Sequence, residues 1–250
     1  MQPTNNLILV CAGADTAAAA QHSLPLLQLY LGIGRGGRVT RLSLPARLEG
    51  CYLGVSDLGL DGDIPGFCAE ALLHEAKKQN MRGIFADIEA DSPAARALLG
   101  PLDRLMHEAG LPLFVPLRQA GAVEHALLVA ETAISGGSLD GYFEELQRQY
   151  PGRIAATLRP VSADFRLPAQ DSEGRPLTEK ERRALQHTCG AQAFFSRELC
   201  AKYFTYMDER QNGHFVLYDD RSTLEAKLRR LDTLGVKHIF ALYPDVAALL

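Results

Sequence analysis

Hydrophobic positions along the chain fall into short runs rich in branched and aromatic residues, at 7–12, 51–56, 83–89, 111–116, 126–134, 153–158 and 236–243, with Val39 to Leu44 as a weaker eighth. Between several of them the polar pattern changes to helix signals. Asp63 and Pro65 open an amphipathic stretch to Gln79, and Ser92-Pro93 opens another that Gly100-Pro101 should interrupt before Gly110 ends it. Ser138 caps a helix that Pro151 stops; Thr178 with Glu181 and Ser222 with Glu225 read as capping boxes, and Gly235 closes the last helix. The Leu-rich stretch Leu24 to Leu31 reads as a core helix. Strand then helix, repeated about eight times in 250 residues, predicts an α/β fold of the (β/α)8 TIM-barrel type, as a single domain over 1–250.

One segment breaks the alternation. From Arg159 to about Asp220 the chain runs through a Pro-rich loop, a charged helix and two aromatic runs, 203–207 and 214–218, with Asn212-Gly213 between them. The Asn-Gly step and alternating aromatics predict a hairpin. The segment is therefore a small α+β hairpin insertion, about 159–220, before the last barrel strand.

The run "GIFADIEAD", Gly83 to Asp91, starts as a buried strand and ends in acids. Side chains alternate across a strand, so Phe85, Asp87 and Glu89 share one face and Ile84, Ala86 and Ile88 the other. The apolar face suits a helix layer, which sends Asp87 and Glu89 into the lumen at the C-terminal rim, where barrel active sites are built. Two close, partly desolvated carboxylates repel each other, so one should keep its proton near neutral pH and serve as a general acid. The plainer alternative is that these acids merely end the strand, with Asp91 capping the next turn. Asp57 and Arg159 also end strand runs and, with Asp91, are candidates to line the same rim and bind substrate. Asp219 and Asp220 precede a helix, where their charge favours the helix dipole.

Composition narrows the partners. A net charge of -4, with basic residues scattered among acids, argues against nucleic acid and anionic lipid, and no apolar run approaches the roughly 20 residues of a membrane span. Five cysteines without a C-x-x-C pair fit reduced thiols in a cytoplasm. The apolar opening Leu7 to Cys11 lacks the basic region before it and the small-x-small cleavage site after it that a signal peptide would show, so a cytoplasmic location is expected. Gly32 to Gly37 spells G-x-G-x-x-G but lacks the strand-then-helix order of a dinucleotide site. His74-Glu75 and His107-Glu108 lack a second His four residues on, so no helical zinc pair is expected.

The pattern Gly83-Ile-x-x-Asp87-Ile-Glu89 resembles the Asp-Gly-x-x-x-Asp-x-Glu strand signature of glycoside hydrolase family 18, the chitinases and related N-acetylglucosaminidases. The tail from Tyr203 to Leu242 is similar to the last hairpin, helix and strand of the spore cortex-lytic branch. This resemblance implies substrate-assisted hydrolysis of a β-1,4-linked N-acetylglucosamine glycan, peptidoglycan or chitin-like. Glu89 would be the general acid and Asp87 the residue that orients the substrate acetamide, with no metal or cofactor. Three departures stand out: Arg82 and Phe85 replace acidic or amide positions, and the chain has no Trp to floor a sugar subsite. Tyr243, one residue out of line with that Trp, is the ring left to stack on a sugar. Those losses leave a second reading, a barrel that binds a glycan or protein without turnover.

Overall fold

In the computed structural model, which describes residues 6–42, 50–168 and 174–250, the apolar runs become a ring of strands. These are β1 (Leu7–Cys11), β2 (Leu26–Ile33), β4 (Tyr52–Asp57), β5 (Ile84–Asp87), β6 (Leu113–Pro116), β7 (Leu127–Glu131), β8 (Ile154–Thr157) and β14 (Ile239–Leu242). Among the described residues these eight run parallel in the order β1-β14-β8-β7-β6-β5-β4-β2, and pairing of β1 with β2 closes the barrel. A short strand, β3 (Val39–Arg41), adds antiparallel to β2. The helices between strands are α1 (Thr16–Ala19), α2 (Phe67–Lys78), α3 (Pro93–Glu108) and α4 (Leu139–Gln149), and β6 joins β7 through a 3-10 segment, Leu117–Ala122.

Alternation sorts the strand residues into two cores. Leu9, Leu53, Ile84, Val115, Leu128 and Ala156 pack outward against the helices. Ile8, Leu27, Tyr52, Phe85, Phe114 and Phe240 fill the lumen. In the lumen, Phe240 meets Phe85 at 5.0 Å between ring centroids and Phe114 at 4.9 Å, and Tyr52 meets Phe114 at 5.7 Å. Tilted and edge-on rings at such spacings are favourable, so the barrel below Asp87 is packed with aromatic carbon.

Between β8 and the last strand lie β9 (Ser162–Arg166), β10 (Arg175–Pro176), α5 (Glu179–Thr188), β11 (Phe194–Ser196), β12 (Ala201–Met207), β13 (Gly213–Tyr218) and α6 (Arg221–Thr233); α7 (Tyr243–Val246) follows β14. The sheet order is β10-β9-β13-β12-β11, all antiparallel. The expected hairpin is β12–β13, and the insertion is larger than a hairpin because the Pro-rich loop supplies β9 as a partner for β13.

Several expectations need correction. Leu24 to Leu31 is not a helix: Leu26 onward is the second barrel strand, whose continuous apolar run reflects burial on both faces. The weak run Val39 to Leu44 is not a barrel strand but the hairpin partner β3, and its last two residues lie outside those described. Pro101 does not interrupt α3, because Ala94, Ala95, Leu98, Leu99, Leu102 and Met106 bury one face and packing outweighs one lost backbone bond. The last box is Asp220 with Thr223 rather than Ser222 with Glu225: the Asp220 carboxylate accepts from Thr223 N, and Thr223 Oγ1 accepts from Asp220 N. Glu225 pairs instead with Arg221, at 3.1 Å. The Ser138 cap and the Thr178–Glu181 box form as read.

Candidate functional site

Asp87 is the last residue of β5 and stands in phase with Phe85, directly above the aromatic lumen. Its strand neighbour across β4 is Ser56. Half-buried over hydrocarbon, its carboxyl is pushed above the ordinary Asp range by burial, and the charges of Glu89, Asp57 and Glu131 push the same way. Of the acid pair, Asp87 is the one whose surroundings favour the protonated form more than those of an ordinary Asp do. Glu131 ends β7 in phase with lumen-facing Val129 and pairs in register with Thr157. The sequence reading missed it, because one acid after an apolar run carries no motif.

Glu89 lies two residues past the strand, where Ile88 turns into the outer core and Ile88 N donates to Ala86 O at 3.0 Å. What holds it is the 3-10 segment after β6. Gln119, buried, donates through Nε2 to Ile88 O at 2.9 Å and to Ala90 O at 3.0 Å, fixing the backbone on both sides of Glu89. Arg118 closes from outside, with Nε 3.0 Å from Glu89 Oε2 and Nη1 donating to Glu89 O at 3.4 Å. Both side chains are well exposed, so this pair contributes about 0–1 kcal/mol and exchanges easily. Neither Arg118 nor Gln119 was legible in the sequence, because they lie about 30 residues from Glu89 and meet it only through barrel closure.

The other candidates divide. Arg159 follows β8 at the rim, Nη1 3.4 Å from Glu131 Oε1, and its charge opposes the burial that raises the Asp245 carboxyl. Arg159 thus stands beside Glu131 and Asp245. Asp57 is close enough for its charge to act on Asp87, but Oδ1 is committed to Gly59 N at 2.8 Å and Leu60 N at 2.7 Å, and lumen-facing Tyr52 is in phase with Ser56 rather than Asp57. Asp91 pairs with Arg96 at 2.6 Å on the surface at the start of α3, and it is the Ser92 hydroxyl, not Asp91, that caps the helix. Tyr243 packs with the helix-side core and lies 5.9 Å from the His22 ring, so the rim position in phase with Phe240 is Leu242, which is exposed. The expected stacking ring is therefore turned away from the lumen axis, because a one-residue offset in a strand changes the face.

Asp219 and Asp220 have structural partners. Asp219 accepts from Lys227 Nζ at 2.6 Å and from Val161 N at 2.8 Å, with both carboxylate and ammonium sealed from solvent. Asp220 caps α6 and accepts from Lys202 Nζ at 2.5 Å. None of the five cysteines is in a disulfide, and four of them are buried. Among the described residues no helix is long and apolar enough to cross a membrane.

The architecture has close counterparts among solved structures. The chain is similar to a chitinase from Chromobacterium violaceum ATCC 12472, with a TM-score of 0.61 and 16% identity over 95% of this chain and 93% of that one. It is similar to the Bacillus cereus spore cortex-lytic enzyme SleL, with a TM-score of 0.58 and 16% identity over 94% and 70%. A class V chitinase from Nicotiana tobaccum gives 0.55 and 10% identity over 95% and 93%. At these identities the likeness shows the fold, a barrel shared with chitinases and a cortex-lytic enzyme. No protein-family model matches the chain, and no curated protein matches its sequence.

Proposed function

We propose that this protein is a glycosidase acting at the C-terminal barrel mouth on a β-1,4-linked N-acetylglucosamine-containing glycan. The observation that carries the reading is the pair of acids ending β5: Asp87, half-buried with its proton affinity raised, and Glu89, held beside it on an exposed loop. The kinship in fold with chitinases and a cortex-lytic enzyme supports the same substrate class.

In the substrate-assisted route, one of the exceptions to the usual two-carboxylate scheme, Glu89 donates a proton to the glycosidic oxygen as the anomeric C–O bond breaks and its electron pair leaves with that oxygen. The acetamide carbonyl oxygen of the substrate forms the new bond to the anomeric carbon. Asp87 accepts a hydrogen bond from the acetamide N–H and stabilises the positive charge of the resulting ring. Water then adds at the anomeric carbon as the bond to the acetamide oxygen breaks and its electron pair returns to the acetamide, and the water's proton passes to Glu89. Buried beneath an apolar floor and faced by three other carboxylates, Asp87 is suited to share a proton during this sequence. Arg159 and Glu131 complete the proposed surroundings of the sugar.

A second reading, binding without turnover, is favoured by two features of the mouth. Phe85 and Phe240 fill the lumen where a polar partner for Asp87 would stand, and the Glu89 carboxylate is paired with Arg118. Release of reducing ends from N-acetylglucosamine oligomers and from purified peptidoglycan, measured beside Glu89→Gln and with binding followed in parallel, separates the two. Turnover lost in the variant supports the glycosidase. Binding without turnover in the unaltered protein, unchanged by Glu89→Gln, supports the second reading.

A further inference from the structure

The mouth carries two guanidiniums among its acids, and each is held by one of those acids. Arg118 pairs with Glu89 at 3.0 Å and Arg159 with Glu131 at 3.4 Å, the four side chains being 62%, 55%, 63% and 53% exposed. Pairs so hydrated are weak and exchange partners readily. The arrangement is an odd one for a site that handles only neutral sugar. A general acid must present a proton, yet Glu89 Oε2 accepts from Arg118, while Gln119 holds the Glu89 backbone so that the carboxylate cannot swing away with its loop.

An uncharged hydroxyl or acetamide competes poorly with a carboxylate for a guanidinium, whereas a second carboxylate competes well, because the planar fork takes two oxygens at once. We propose that the mouth selects a glycan whose sugars carry a carboxylate, and that this carboxylate takes Arg118 from Glu89, leaving Glu89 free to draw a proton from solvent and donate it. Arg118 is then a positioning and specificity residue: it touches the charged substituent and acts on the reaction through Glu89. The acids that face this exchange are Asp87, Asp57 and Glu131, and Arg159 is the second cation beside them, itself occupied by Glu131 and close to Asp245. Their repulsion disfavours an incoming anion everywhere at the mouth except against a guanidinium, and of the two it is Arg118 that touches Glu89. This inference rests on the glycan reading above.

The test compares two substrates with the whole chain: neutral N-acetylglucosamine oligomers, and peptidoglycan strands stripped of their peptides, whose alternate sugars bear a free carboxylate. Wild type is measured beside Arg118→Met and Arg118→Lys, with KM and kcat separated. The expected result is a kcat/KM at least about tenfold higher for the carboxylate-bearing strands in the wild type. Arg118→Met removes that preference by raising KM for the acidic strands more than for the neutral oligomers, and Arg118→Lys restores part of it. A merely structural role would move both substrates alike. Equal treatment of the two glycans by the wild type, or an unchanged ratio in Arg118→Met, overturns the inference and leaves the glycan reading standing. Failure of wild type and both variants to bind or cut either glycan overturns the two together.

Discussion

Two acid–base pairs in this molecule are alike in chemistry and opposite in setting. Lys227 and Asp219 meet at 2.6 Å with side chains 1% and 0% exposed, and the carboxylate is further satisfied by Val161 N and Thr223 Oγ1. Arg118 and Glu89 meet at 3.0 Å in solvent. The first pair cannot change partners without leaving a bare charge in hydrocarbon, so it fixes α6 to the end of β13 and the start of β9. The second can, at little cost. Burial, more than the number of charges, therefore separates the acids that hold the fold from those available for chemistry.

The sharpest way to break this comparison is to remove one cation from each pair and compare denaturant unfolding. Lys227→Met should cost about 3–5 kcal/mol, since Asp219 is left buried and uncompensated. Arg118→Met should cost about 1 kcal/mol or less. Equal losses would mean that exposure is not what distinguishes them. Glu89→Gln should change stability by about 0.5 kcal/mol or less, as expected for an exposed substitution, even while it removes turnover.

Asp87 gives a pH-dependent version of the same contrast. Its folded-state proton affinity is raised by burial and by neighbouring carboxylates, so the favourable contribution of the protonated form is complete below the ordinary Asp value of 3.8 and is lost as pH rises through the higher folded value. Asp87→Asn should therefore be more stable than the wild type at neutral pH and no different in acid, which thermal melts across pH would show. A variant less stable at neutral pH would mean that the charged carboxylate is compensated by contacts at the mouth. Gain of stability on removing an active-site acid is the usual mark of a site that trades stability for function.

The barrel was largely legible in the sequence because its strands announce themselves as short apolar runs and its helices by caps that sit where they form, as at Ser138 and Thr178. The failures share a cause. The β2 run is apolar on both faces and has no period to separate it from a buried helix, and β9 becomes a strand only because β13, some fifty residues later, pairs with it. At the site, alternation sent both Asp87 and Glu89 into the lumen; Asp87 stands over it, but the strand ends there and Glu89 lies beyond it in solvent against Arg118. It did not find Glu131, Arg118 or Gln119, which come to the acids from other strands and loops. It also misplaced Tyr243, where a single residue decides between the lumen and the helix layer.

The account stands or falls on whether the acids ending β5 cleave a glycan. The most direct measurement is release of reducing ends from peptide-free peptidoglycan strands and N-acetylglucosamine oligomers, wild type beside Glu89→Gln, from acid to neutral pH. The expected result is turnover by the wild type that falls by at least about a hundredfold in the variant, the contribution of a positioned general acid, with binding retained. Turnover that survives Glu89→Gln, or a wild type that binds the strands and never cuts them, would contradict it.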